Sequence, residues 1–168
     1  MYNSKVEATT SQAIKLNLNG IKQISKERIL LELFKILDLK NFINLYESEY
    51  LKELFSLIFP EFDNIERLER LKKIFNHSKI NRDILLATLL IGEKNNHEYF
   101  AHKYSISNET KENLNLLAKD FKLVKENKNF FDKDLEKNIY LTDKNHIIKL
   151  NILNFVNNSK YNLKTSQK

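Results

Sequence analysis

The stretch Ile24-Ser25-Lys26-Glu27-Arg28-Ile29-Leu30-Leu31-Glu32-Leu33-Phe34-Lys35-Ile36-Leu37 decides the fold. Its apolar residues Ile29, Leu33, Ile36 and Leu37 recur at spacings of four, three and one, which gathers them on one helical face. Ser25 is placed to cap that helix by accepting a backbone N–H, and Glu27 puts negative charge in the first turn, where the helix dipole favours it. Arg28 stands where a capping box would need Glu or Gln, so the start rests on Ser25. Arg28 and Glu32 are four residues apart and can pair on the flank, a contact worth roughly 0.2–0.5 kcal/mol.

Composition extends that reading to the whole chain. Two glycines and one proline among 168 residues are too few for sheets joined by tight hairpins. The expected fold is all-α, an elongated array of about seven to nine short helices. Cysteine is absent, which excludes a disulfide framework, a thiolate metal site and a cysteine nucleophile. The longest apolar run, Ile84 to Ile91, is far too short for a bilayer span. Met1-Tyr2-Asn3-Ser4-Lys5-Val6-Glu7 lacks the basic-then-apolar order of a signal peptide. No membrane partner and a cytoplasmic location are therefore expected.

The formal charge of +6 is unevenly distributed. Residues 1–60 carry eight bases and seven acids, residues 61–120 ten of each, and residues 121–168 ten bases and five acids. The C-terminal excess could meet phosphates. Lys, Asn and Ile are abundant throughout, as an AT-rich genome would dictate, so the same excess also reads as a solvated tail.

Ahead of the opening stretch, residues 8–23 read as a first helix with Ala13, Ile14, Leu18 and Ile21 as its stripe and Gly20 weakening its last turn. Behind it, a helical region runs from about residue 40 to residue 59, broken near Glu47 and Ser48, with Leu51, Leu54, Phe55 and Ile58 at helical spacing. Pro60 ends it by pushing Phe59 out of the α region. Asp63 reads as the N-cap of a helix whose inward residues are Ile65, Leu68, Leu71 and Ile74 and whose outer face alternates acids and bases. The solvated-face reading is favoured there. Glu61 and Asp63 read as a cap and its neighbour. Residues 80–91 read as the most buried helix, with Gly92 as its C-cap. His97 and His102 follow in a short polar helix; five residues apart, they do not share a face and read as exposed. Ser107 caps a helix that buries Leu114, Leu117, Ala118 and Phe121. A turn at 127–131 leads to helices at 132–141 and 143–157, the second with Ile147, Ile148, Leu150, Ile152 and Phe155. From residue 158 the chain is polar, and Tyr161 stands near Lys160 and Lys164 as an aromatic that could stack on RNA or lie in a frayed end.

The pattern Ser25-x-Glu27-Arg28-Ile29-x-x-Glu32-Leu33-x-x-Ile36-Leu37 resembles the segment after the catalytic head in the bacterial tRNA nucleotidyltransferase (CCA-adding) and poly(A) polymerase family. Two more phrases follow in the family's order: a Leu-rich helix closing on Phe59-Pro60-Glu61, and Ile106-Ser107-Asn108-Glu109 at the start of a tail helix. The helix from Arg82 through Ala87 is similar to the body's Arg-Leu-Ala-x-Leu-Leu helix. The resemblance implies a class II nucleotidyltransferase body and tail: the end of the neck helix in 1–24, neck and body helices in 25–75, body and tail helices in 76–157, and a flexible basic tail in 158–168. It makes Ser25, Glu27, Arg28 and Glu32 a motif that braces the neck behind the nucleotide-selecting helix. Body and tail in this family cradle the acceptor arm and elbow of tRNA through backbone and shape. The RNA-binding candidates are then Arg67, Arg70, Lys72, Lys73, Arg82, Lys144, Lys149 and Lys160.

Nucleotidyl transfer needs carboxylates that hold Mg²⁺ against a triphosphate. The family carries these as an Asp-x-Asp pair in its head, where Mg²⁺ and CTP or ATP bind. This sequence contains neither that pair on a strand nor the neck's Glu-Asp-x-x-Arg motif ahead of Ala13. No catalytic residue, no metal site and no cofactor are therefore expected in the chain, and no nucleotide incorporation by it alone. Two readings follow. One is an RNA-binding, tRNA-directed C-terminal piece, working with a separately encoded head or left over from a split gene. The other is an all-helical protein-interaction scaffold or a gene remnant.

Overall fold

A computed structural model of the chain describes residues 8–75 and 80–158. It contains nine α-helices among the described residues: α1 (Ala8–Asn17), α2 (Lys26–Leu37), α3 (Glu49–Ile58), α4 (Arg67–Phe75), α5 (Arg82–Leu90), α6 (Asn96–Tyr104), α7 (Asn108–Glu126), α8 (Leu135–Leu141) and α9 (Lys144–Asn157). Two 3₁₀ turns, Leu18–Gln23 and Phe42–Glu47, lie before α2 and α3. No strand occurs among the described residues, so the fold is all-α, built of many short helices.

The caps fall largely where hydroxyls and short polar side chains precede an apolar period. Ser25, Ser48 and Ser107 each accept a backbone N–H from the third residue on, at 3.3 Å. Asn81 accepts from the Asp83 N–H at 2.7 Å, and Asp143 from the N–H groups of Asn145 and His146 at 2.8 and 2.9 Å. Asp63 does not cap: α4 starts four residues later, and the Asp63 carboxylate accepts instead from the Asn64 side chain. The first helix also differs from its sequence pattern, because it tightens into 3₁₀ at Leu18 and leaves Ala13 and Ile14 exposed.

One apolar core runs from Leu33 to Val156. In α5 every residue from Leu85 to Leu90 is buried, including Thr88, and each of its leucines contributes roughly 1.5–3 kcal/mol. Around it, α2 packs on α5 and α6, α7 packs on α5, α6 and α9, and α4 packs on α9 and the 3₁₀ turn Phe42–Glu47. Phe42, Phe55, Phe59, Phe62, Phe100 and Tyr104 form a continuous chain of rings, with centroids 4.8–6.5 Å apart, under α3 and α6.

Three residues sit in settings their sequence reading did not give. His97 is buried, because α6 turns its side chain inward beside Phe100 and Ala101; His102 stays exposed. Glu61, read as the neighbour of a cap, is buried at 3% exposure and accepts from Lys103 Nζ at 2.6 Å, which makes it an internal ion-pair partner. Gly92 has no left-handed backbone; instead, a Cβ there would lie 3.3 Å from the Asn64 amide nitrogen and 3.5 Å from the Arg67 guanidinium. The left-handed C-cap in this fold is Ser105, at φ 48°, after α6.

Candidate nucleic-acid interface

The opening stretch presents two faces. Leu33 and Leu37 are each 1% exposed, with Ile29, Leu30 and Phe34 packed beside them. Ile36, expected on the same face, is left 37% exposed because the buried side of the helix is centred on Leu33 and Leu37. On the outer face Glu27, Arg28 and Glu32 are all exposed, alongside Leu31 at 60%. Glu32 accepts from Lys35 at 2.8 Å, three residues on. None of the described side chains of α1 is buried, and Lys15 ties the helix to Glu53 of α3 at 2.6 Å.

The α4 cations are held by protein groups to very different degrees. Arg67 is half-buried: Nη1 donates to the Thr88 and Ile91 carbonyls, and Nη2 donates to Asn157 Oδ1 at 2.6 Å. Asn64 Nδ2 donates to the Leu89 carbonyl at 3.1 Å. Together these side chains satisfy the open carbonyls at the C-terminus of α5. Burial pulls the Arg67 guanidinium below its ordinary range, opposed by the charges of Asp63 and Glu93. Arg70 lies 4.8 Å over the Phe155 ring of α9. Lys72 donates to Glu47 at 2.6 Å, a hydrogen bond that holds the ammonium above its usual range. Lys73 is exposed, 3.6 Å from Glu69.

Arg82 occupies a different setting. At the start of α5 its guanidinium stacks 4.4 Å over the Phe34 ring of α2 and donates through Nη2 to Asp38. The next residue, Asp83, accepts from Lys149 of α9 at 3.4 Å. Charges therefore alternate Asp38, Arg82, Asp83, Lys149 across three helices. Asp38, Arg82 and Asp83 line an open groove of about 530 Å³ together with Phe34, Ile80, Asn81 and Thr110, and Lys149 reaches it through Asp83. A stacked guanidinium flanked by carboxylate, amide and hydroxyl groups offers what an RNA base or phosphate can use: a planar cation to stack on or pair with, and acceptors beside it.

Lys144 opens α9, exposed, directly after the cap residue Asp143. Two backbone N–H groups hold the Asp143 carboxyl below its usual range. Further along the helix, His146 Nε2 meets Asp120 Oδ2 of α7 at 2.8 Å, both side chains little exposed, and this pair joins the two longest helices. Lys160 and Tyr161 lie outside the described residues.

Of the cations chosen from sequence, Arg82 and Lys149 are brought together at one feature; Arg67, Arg70 and Lys72 face protein groups; Lys73 and Lys144 face solvent. The partners Phe34, Asp38 and Asp83 were not chosen. The available signal was the i, i+4 spacing of Phe34 and Asp38 at the end of α2.

Comparison with known families adds one finding. Residues 4–66 match the family model described as "Probable RNA and SrmB- binding site of polymerase A". The match supports a relationship to the poly(A) polymerase and CCA-adding family and an RNA-binding role. It takes in Phe34 and Asp38 of the groove and the Ser25–Glu32 motif, and it ends just before Arg67. No curated protein and no solved structure matches the chain. Among the described residues no helix is long and apolar enough to cross a membrane.

Proposed function

We propose that this chain is the RNA-holding part of a tRNA nucleotidyltransferase or poly(A) polymerase, working in the cytoplasm in tRNA or other RNA processing. The observation that carries the reading is the groove in which Phe34 and Asp38, inside the matched RNA-binding segment, meet Arg82, with Lys149 beside it. Structured RNA enters along α2, α5 and α9. Its phosphates compete with Asp38 and Asp83 for Arg82 and Lys149, and a base or sugar edge meets Phe34, Asn81 and Thr110. The carboxylates of nucleotidyl transfer, with their Mg²⁺ and CTP or ATP, come from a head supplied by another segment or another chain. This chain therefore positions RNA and does not transfer nucleotides alone.

The test is tRNA binding by the isolated chain across a salt series. Affinity should fall steeply with rising salt, as it does when lysines and arginines displace counterions from phosphates. Replacing Arg82 and Lys149 by Ala together should weaken tRNA about tenfold or more, within the range for charge-assisted contacts. Salt-insensitive binding, no binding at low salt, or incorporation of CTP or ATP into tRNA by this chain alone would each overturn the proposal.

A second reading concerns α2's outer face. Glu27, Arg28 and Glu32 stand exposed around Leu31, and α1 buries none of its described side chains. An apolar side chain ringed by charges of both signs suits a docking brace for a catalytic head. Charge reversal at Arg28 should then abolish co-elution with such a head while leaving tRNA binding intact. Unchanged co-elution would rule the brace out.

A further inference from the structure

The charges that line the Arg82 groove do not favour a bare polyanion. One guanidinium shares the lining with two carboxylates, those of Asp38 and Asp83, and Lys149 reaches the groove only through Asp83, at 3.4 Å. A phosphate that enters gains Arg82 and meets two acids, so charge alone leaves it no net attraction there. The Asn81 amide and the Thr110 hydroxyl are neutral and do not change that balance. What the lining holds in excess is hydrogen-bond acceptors. Asp38 gives one oxygen, Oδ2, to Arg82 Nη2, whereas a carboxylate has about four lone-pair sites. Its side chain is 38% exposed and lines the groove, which leaves the other sites open to a ligand.

Folding does not account for Asp38. It is the C-cap of α2, where the helix dipole disfavours negative charge. Arg82 is already seated on the Phe34 ring, 4.4 Å from its centroid, without help from the carboxylate. An ion pair exposed to this degree adds little to stability. Asp38 also lies inside the segment that matches the RNA-binding family model. A group that repels phosphate and accepts hydrogen bonds suits a polyanion that carries a hydroxyl donor beside each phosphate. RNA does so through its 2′-OH, and DNA does not.

We propose that Asp38 is a specificity-determining residue of the Arg82 groove: its carboxylate accepts the 2′-hydroxyl of a nucleotide whose phosphate pairs with Arg82, and so selects RNA over DNA. The proposal rests on the RNA-binding reading above and adds to it the group on the ligand that is recognised. A ribose offsets the repulsion at Asp38 with a charge-assisted O–H···O⁻ hydrogen bond. A deoxyribose meets the same repulsion with no donor and leaves the carboxylate without a partner. Amino groups on the bases are common to both nucleic acids and do not enter the choice.

The experiment measures the affinity of the full chain for three strands of one base sequence: RNA, its 2′-deoxy form and its 2′-fluoro form. The 2′-fluoro sugar keeps the size and pucker of ribose but has no O–H to donate. The parent should bind RNA about tenfold more tightly than either analogue, as loss of one charge-assisted hydrogen bond predicts. In Asp38→Ala that gap should close to less than about twofold, chiefly because the two analogues bind more tightly once the acid is gone. The unfolding midpoint should stay close to the parent's, since the ion pair is half exposed. Where Ala lowers it, Asp38→Asn, which keeps an acceptor for Arg82, should still narrow the gap about threefold or more. A tenfold preference that survives in these variants, or a 2′-fluoro strand bound as tightly as RNA, overturns the proposal. If the parent binds all three strands equally, and Arg82→Ala with Lys149→Ala weakens them all, selection by Asp38 is overturned while the groove stands. A parent that binds none of the strands overturns both.

Discussion

The cations of α4 and those of the α8–α9 corner carry the same charge and are used in opposite ways. Arg67 has its donors on the Thr88 and Ile91 carbonyls and on Asn157, Arg70 covers Phe155, and Lys72 is tied to Glu47. Lys133, Lys137 and Lys144 stand exposed. The difference is one of surroundings. Helix α4 lies against the end of α5, α9 and the Phe42–Glu47 turn, where open carbonyls and acids wait for donors; α8 packs mainly on α9 and buries none of its residues. A basic residue on a sequence is therefore no guide to phosphate contact until its neighbours are known.

The sharpest way to break this comparison is Arg67→Ala. It leaves two carbonyls and an amide without their donor inside the fold, and should cost about 2–3 kcal/mol, read by chemical denaturation. If the folded variant keeps full tRNA affinity under stabilising conditions, Arg67 is a structural residue. If stability is unchanged and only RNA affinity falls, the contrast fails.

Next in size is the paired variant Lys137→Ala with Lys144→Ala. Stability should hold within about 0.5 kcal/mol, since both side chains are exposed. The slope of log affinity against log salt for tRNA should fall by roughly 0.7–0.9 for each lysine removed that touches phosphate. An unchanged slope would place the RNA elsewhere.

Burial also divides the histidines. Burial holds His97 below its usual value of 6.5, with Glu98 raising it and Lys122 lowering it further. A depressed histidine is neutral in the fold, so its stabilising contribution is fully present above pH 6.5 and is lost as pH falls from there toward the folded value. His97→Gln should flatten the decline of stability on the acid side of that point, read by chemical denaturation across a pH series.

The smallest expected effect is Thr88→Val. Thr88 is 0% exposed and its hydroxyl has no hydrogen-bond partner in the structure. The isosteric valine should leave stability unchanged or raise it by up to about 1 kcal/mol. A clear loss on thermal unfolding would mean that the hydroxyl is engaged.

Much of the fold was legible in advance. The α2 and α7 starts follow from Ser25 and Ser107, and the break near Glu47 and Ser48 from the interruption of the apolar period. Leu33, Leu37, Leu68, Leu71 and Leu117 were inward by spacing and are inward in the fold. These features are local: a cap or a stripe involves residues within a few positions of one another. The settings of His97, Glu61 and Gly92 were not legible, for the converse reason. Their surroundings come from α6 meeting the core, from Lys103 across 42 residues, and from Asn64 and Arg67 approaching the end of α5.

The same division runs through the candidate sites. Arg82 could be chosen by sequence, but its neighbours Phe34, Asp38 and Lys149 reach it only when α2, α5 and α9 converge. The sequence by itself determined that the chain is helical, where its helices begin and which stripes turn inward, because capping and periodicity act over a few residues. The tertiary structure decided which charges hold the protein and which stay exposed, because a donor's partner is set by what packs against it, often from dozens of residues away.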